Sequence, residues 1–293
     1  MSEQQVNTQA VLSEWESLWH TTMGGWFPGE GVTLRGKDLL NDAGTKGWMS
    51  VLLFAITGRE FNPAQIQLFE GIWSIATSFP DPRLWNNRIA ALAGTARSTP
   101  ALGLSGAIAV SEATIYGQRP LLAAMAFLQN TLHKRQQGQP LESLLQRALQ
   151  AKRRGRPGCG KRREVARLPG FGRPIVSRDE RIEPLLSLAR KLQYDRGEHL
   201  CLAQEIESTL PLMGEDWRMN IAALMGALCA DQGLTPRQYY HYTSLCFSAG
   251  IVACGLDAEQ HPPGAFFPLR CDRLRYQGPT PRRWPQPPPN ASH

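Results

Sequence analysis

The chain has 293 residues, 42% of them hydrophobic and 19% charged, which is enough to bury a sizeable core and too long for a single minimal domain, so one large domain with a smaller one attached is expected. The longest apolar run, Trp48 to Ile56, falls far short of the roughly 20 residues that cross a bilayer, and the amino terminus is polar and acidic, so neither a membrane span nor a signal peptide is expected and the chain reads as cytoplasmic. A net charge of +7 and a pI near 9.3 admit nucleic acid, an anionic surface or a phosphorylated small molecule as partner, and the location of the charge must decide between them.

In chain order, Asn62-Pro63 followed by Ile66, Phe69, Trp73 and Ala76 combines a capping residue, a proline at the first helical position and helical apolar spacing, which predicts an amphipathic helix. Residues 152–163, KRRGRPGCGKRR, set seven Lys or Arg among glycines and a proline and predict an exposed loop. A long apolar helix fits Met219 to Cys229, and Thr235-Pro236 opens another that would carry Tyr239, Tyr242, Cys246 and Ile251. After Gln277 the tail GPTPRRWPQPPPNASH is too rich in proline and polar residues to order itself, and is expected to be mobile or to wrap a neighbouring subunit. Alternating strand patterns are nearly absent, so the fold is expected to be mainly α.

The common chemical signatures do not occur: there is no P-loop, no dinucleotide glycine fingerprint and no H-E-x-x-H helix. The cysteines, Cys159, Cys201, Cys229, Cys246, Cys254 and Cys271, are scattered without a C-x-x-C pair, which speaks against zinc and against a disulfide framework. His199 has Cys201 nearby, but two candidate ligands do not make a metal site; His133 and His261 have no such neighbour, and His241, within Tyr239-Tyr240-His241-Tyr242 on a predicted helix, reads as structural, so no metal is expected.

Several segments carry a family resemblance when taken in order. Arg35-Gly36-Lys37-Asp38 precedes an apolar stretch ending in Thr57-Gly58-Arg59, and the proline-started helix follows. The run Asn87 to Gly94 and the small-residue run Gly103 to Val110 suit close helix-on-helix contact. Leu168-Pro169-Gly170-Phe171-Gly172-Arg173 continues to Arg178-Asp179-Glu180-Arg181, then Met219 to Leu234, then Arg270 to Pro279. This ordered set resembles the short citrate synthase-like and citryl-CoA lyase proteins, with their R-G-x-D turn, P-G-F-G-H…D-P-R loop, N-V-D helix and closing R-P…Y-x-G-P segment.

The resemblance implies an all-α citrate synthase-like fold and a homodimer. The large helical domain would take residues 1–117 and 216–280, the smaller helical domain 118–215 with the basic loop 152–163, and the proline-rich tail 281–293. It also implies chemistry on an acyl thioester, carried on coenzyme A or on a carrier protein, and a carboxylated partner. Such a reaction needs a base for an α-proton and donors for the enolate and ketone oxygens. The family's two histidines and aspartate correspond here to Tyr116, Arg173 and Ala222. A tyrosine is a poor imidazole substitute, an arginine cannot shuttle protons near neutral pH, and an alanine cannot act as a base. A lost general base alone lowers rates on the order of 10²–10⁴.

Substrate carboxylate contacts correspond to Arg181, with Arg173 beside it, and to Arg270 or Arg273. The CoA side corresponds to Lys152, Arg153, Arg154, Lys161, Arg162 and Arg163 with Gly170, Phe171 and Gly172. For the basic run a solvated loop is the competing reading; no aromatic residues interleave it, so single-stranded nucleic acid is not expected as a partner. Tyr116 competes with a packed structural tyrosine and Cys254 with a buried inert thiol, while Glu112 and Asp216 stand as possible relocated bases. Two functions remain open: an enzyme with altered chemistry that forms or cleaves a C–C bond, or a catalytically inactive relative serving as ligand sensor or dimer partner.

Overall fold

The computed structural model describes residues 20–77, 79–114, 117–154, 168–173, 178–265, 271–280 and 282–283. The chain enters through a small antiparallel sheet of β1 (Gly24–Phe27), β2 (Gly31–Leu34) and β3 (Lys37–Asp38) in that order, an element the sequence patterns do not announce because its strands are so short. Leu34 pairs with Lys37 across Arg35 and Gly36, which both have positive φ, 48° and 81°. A two-residue hairpin with both central residues left-handed matches the twist of its strands. Arg35 holds this conformation while its Nε donates to the Ala55 carbonyl at 3.0 Å. Asp38 then caps α1 (Leu39–Asp42), accepting from the Leu40 and Asn41 amides, so the whole R-G-x-D segment is a turn followed by a cap.

The remaining helices are α2 (Trp48–Thr57), α3 (Pro63–Thr77), α4 (Trp85–Thr95), α5 (Pro100–Val110), α6 (Gln118–Gln136), α7 (Leu141–Arg154), α8 (Ile182–Lys191), α9 (Glu198–Thr209), α10 (Ile221–Asp231), α11 (Pro236–Ser244) and α12 (Ser248–Glu259). The expected cap at Asn62 is a reciprocal box: its Oδ1 accepts from the Gln65 amide at 2.8 Å, and Gln65 Oε1 accepts from the Asn62 amide at 2.9 Å. Thr235 and Gln238 repeat the device ahead of α11.

The helix predicted to run from Pro236 through Ile251 is instead two helices, with Cys246 in the turn between them. Side chains of α3 claim the carbonyls at the break: Trp73 Nε1 donates to Leu245 O at 3.2 Å, and Thr77 Oγ1 to Cys246 O at 2.6 Å. Those bonds take the place of helical ones, and the turn closes through Cys246 N to Thr243 O and Ser248 N to Leu245 O.

The 152–163 segment also departs from expectation at its start. Helix α7 continues to Arg154, so Lys152, Arg153 and Arg154 form its last turn. The rest of the basic run, from residue 155 to 163, lies outside the described residues.

The main core is built by α3, α6, α9, α10 and α11 around α10, whose residues Ile221 to Ala230 are all buried. Helices α6 and α10 come together at a glycine: a Cβ on Gly226 would lie 3.1 Å from the Met125 backbone. A second, thinner layer packs α4 against α5 and α12 around Ala90, Ala107 and Ile251. There a Cβ on Gly94 would sit 2.4 Å from the Gly255 carbonyl oxygen, so the small residues bring the helix backbones together within one chain. Among the described residues no helix is long and apolar enough to cross a membrane.

Candidate functional site

The loop Leu168–Arg173 is fixed to the start of α10 by main-chain bonds. Gly172 N donates to Arg218 O at 2.7 Å, Asn220 N to Gly170 O at 2.9 Å, and Phe171 bridges antiparallel to Met219. Asn220 ties both sides, because its Nδ2 donates to Gly172 O at 2.9 Å while its Oδ1 caps the helix at Ala222 N, also at 2.9 Å. Gly170 has φ +87°, and a Cβ there would lie 2.6 Å from Ala223 Cβ and 3.1 Å from Ala124 Cβ. Glycine is required by conformation and by space together. Phe171 is buried edge-on to Phe127, with ring centroids 6.5 Å apart, so it is a packing residue that anchors the loop.

Four charged residues meet beside this loop. Asp179 has no exposed side-chain surface (0%) and takes Arg181 in a two-point bond, Nε to Oδ1 and Nη2 to Oδ2, both 2.8 Å. Its Oδ2 also accepts the Ile221 amide of α10 at 3.0 Å, and Arg173 Nη1 lies 3.6 Å from Oδ1. Burial pushes the Asp179 carboxyl upward, but the Arg181 bonds, the Ile221 amide and the Arg173 charge outweigh it and hold the group below its ordinary range. Arg181 Nη1 donates to Ala76 O at 2.9 Å, and its guanidinium lies over the Phe79 ring at 5.5 Å. Three nitrogens of Arg181 are thus oriented by the protein, and these bonds use three of the five N–H donors of its fork. Arg173 Nη1 reaches outward to Glu180 Oε2 at 2.5 Å. The Glu180 carboxyl is lowered by its own main-chain amide, against some burial, and by Arg173.

The structure therefore brings together Arg173, Arg181, Gly170, Phe171, Gly172 and Ala222. Ala222 is the second residue of α10 and presents only a methyl group, 7% exposed. Asp179 bonds to the amide of the preceding residue, and a carboxylate held by two arginines and an amide is a weak base. Arg273 is exposed on a 3-10 turn and makes no hydrogen bond or ion pair with the cluster among the described residues. Tyr116, Arg270, Lys161, Arg162 and Arg163 lie outside the described residues, as do the side chains of Lys152, Arg153 and Arg154.

The two possible relocated bases are otherwise placed. Asp216 is exposed in the irregular segment before α10, so its helical spacing from Ala222 does not exist. Glu112 accepts the Tyr240 hydroxyl. His199 Nδ1 meets Asp231 Oδ1 at 2.8 Å while Asp231 also takes the His199 and Leu200 amides, an arrangement that caps α9. Burial pushes the Cys254 thiol up, which favours the inert reading. Among the described residues no group of three or more His, Cys, Asp or Glu is placed to hold a metal ion.

Sequence reasoning did not single out Asp179, Glu180 or Asn220. Asp179 and Glu180 stood in view within Arg178-Asp179-Glu180-Arg181, but only the fold reveals that one carboxylate is buried and the other exposed.

No protein-family model and no curated protein matches the sequence. In three dimensions the chain is similar to the citryl-CoA lyase of Hydrogenobacter thermophilus, with a TM-score of 0.75 and 18% identity over 92% of this chain and 98% of that one. It is also similar to the ATP citrate lyase of Methanosaeta concilii, a D541A mutant in complex with (3S)-citryl-CoA, at TM-score 0.69 and 17% identity over 94% of this chain and 45% of that one. A third similar structure is the Thermoplasma acidophilum citrate synthase with carboxymethyl coenzyme A and oxaloacetate, at TM-score 0.59 and 17% identity over 83% of this chain and 60% of that one. The chain thus spans nearly all of the first and less than two thirds of the other two. The fold is all-α and citrate synthase-like, as the motif order implied.

Proposed function

We propose, from a fold shared with citryl-CoA lyase and citrate synthase, that this chain binds a CoA or carrier-protein thioester together with a carboxylated partner and forms or cleaves a C–C bond between them. The observation that carries the reading is the Arg181 guanidinium, oriented by Asp179, Ala76 and Phe79 beside the glycine loop with part of its donor fork unused. Asp179 already supplies one anion to this guanidinium, and the donors that Asp179 and Ala76 do not use suit a second, from a ligand. Comparison proteins of this fold hold citryl-CoA, or carboxymethyl coenzyme A with oxaloacetate, which supports the same ligand classes here. In this assignment Arg181 orients a substrate carboxylate and Arg173 stabilises developing negative charge. The proton acceptor is not Ala222, so the chemistry differs from that of citrate synthase.

The proposal extends to a homodimer, to a smaller domain over residues 118–215 that closes on the larger one, and to a cytoplasmic location. The basic run 152–163 and Gly170–Gly172 would take the CoA side, Arg270 or Arg273 would complete the carboxylate side, and Tyr116 would stand as a hydrogen-bond donor in the place of the family's first histidine. A second reading is favoured by Ala222 itself: with a methyl group in place of a base, the fold would serve as a ligand sensor or as dimer partner of an active relative.

Calorimetric titration with CoA, acetyl-CoA and citrate or oxaloacetate, singly and in pairs, tests the assignment. Mutually enhanced binding, weakened about tenfold or more by Arg173→Ala, is expected. Binding without any turnover of citryl-CoA or acetyl-CoA would favour the sensor, and no binding of any of these ligands would remove the enzyme and the sensor and leave the dimer partner.

A further inference from the structure

Two departures from the related pattern face each other. Glu180 stands where D-P-R has proline, Arg173 stands where P-G-F-G-H has histidine, and Arg173 Nη1 donates to Glu180 Oε2. The two carboxylates of the cluster differ sharply in setting. Asp179 is fully buried, bonded to Arg181 and to the Ile221 amide, and has no freedom to leave. Glu180 keeps 73% of its side-chain surface exposed, and its partner Arg173 keeps 25%. Asp179 bonds Arg181 at two points and stands 3.6 Å from Arg173 Nη1, so the hydrogen-bonded carboxylate partner of Arg173 is the outer one, Glu180, a group that solvent can reach. That group is a carboxylate, the chemical class proposed as ligand.

We infer that Glu180 is a tethered occupant of Arg173, standing in for a ligand carboxylate, and that Arg173 is a specificity residue selecting ligands with a second carboxylate. The inference rests on the proposed carboxylate site at Arg181. A ligand with one carboxylate engages Arg181 and leaves the Arg173–Glu180 pair closed. A ligand with two or more can also displace Glu180, because a single-point pair whose carboxylate is exposed is weak and a preorganised multipoint anion competes well against it. While Glu180 occupies Arg173, the competent population is reduced and the apparent affinity falls with it.

Citrate titrated into the full chain by calorimetry at fixed ionic strength tests this, using wild type, Glu180→Gln, Arg173→Ala and the double variant. Glu180→Gln keeps the shape of an exposed side chain and is expected to tighten citrate binding about 2–5-fold, the range an exposed ion pair can withhold. In the Arg173→Ala background the same change is expected to do nothing. If Glu180→Gln tightens binding equally with and without Arg173, the carboxylate acts only through space and the tethered role is wrong. Equal binding by wild type and Glu180→Gln also overturns it, while leaving the carboxylate site intact. Citrate binding to none of the four proteins removes the site and the inference together.

Discussion

Arg181 cannot be probed by simple truncation, because Asp179 lies behind it with no exposed surface. Arg181→Ala would leave a buried carboxylate without its two-point partner, and such a change destabilises by roughly 3–5 kcal/mol. Thermal or urea unfolding is expected to show that loss, and the double variant Arg181→Met with Asp179→Asn is expected to recover much of it. Asp179 also has a pH signature. Its folded-state pKa is depressed, so its stabilisation is complete above the unfolded value of about 3.9 and is lost as pH falls through the lower folded value. Acid unfolding followed by circular dichroism should therefore show a steeper loss of stability below about pH 4 for wild type than for Asp179→Asn; superimposable relative profiles would contradict the ion pair. The arginines themselves were legible in the sequence because two cations flank a short glycine-containing loop. Their carboxylate partners were not, since nothing in Arg178-Asp179-Glu180-Arg181 tells which acid turns inward.

Among elements, the loop Leu168–Arg173 and helix α10 act as one unit through Asn220 and Gly170. Gly170→Ala must place a methyl group at 2.6 Å from Ala223 Cβ while keeping a left-handed backbone, and a loss of about 2–4 kcal/mol is expected in equilibrium unfolding. Asn220→Ala removes the cap and the bond to Gly172, and is expected to cost about 1–2 kcal/mol and to raise amide exchange across 168–173. The helix starts at Asn62-Pro63 and Thr235-Pro236 could be read from sequence because a cap and a proline act within one turn. The break after Ser244 could not, since it is made by Trp73 and Thr77 from a helix some 170 residues away, at separations of 172 and 169.

For the whole molecule, the α4, α5 and α12 layer has a small core and leaves Leu102 67% and Leu256 56% exposed, apolar side chains suited to contact with a second copy. The chain is expected to sediment as a dimer, and Leu102→Glu with Leu256→Glu to shift it to monomer with its helical content retained; a wild-type monomer across the micromolar range would refute that interface. By itself the sequence determined the helical class, the main helix starts and the order of motifs, because apolar spacing, caps and glycine turns are local and repeat the chain's own geometry. Only the tertiary structure decided that the P-G-F-G segment closes on the start of α10, and that one acid of the arginine cluster is buried while the other is exposed. Those outcomes depend on which distant backbone groups and side chains meet, and on how much water each contact excludes.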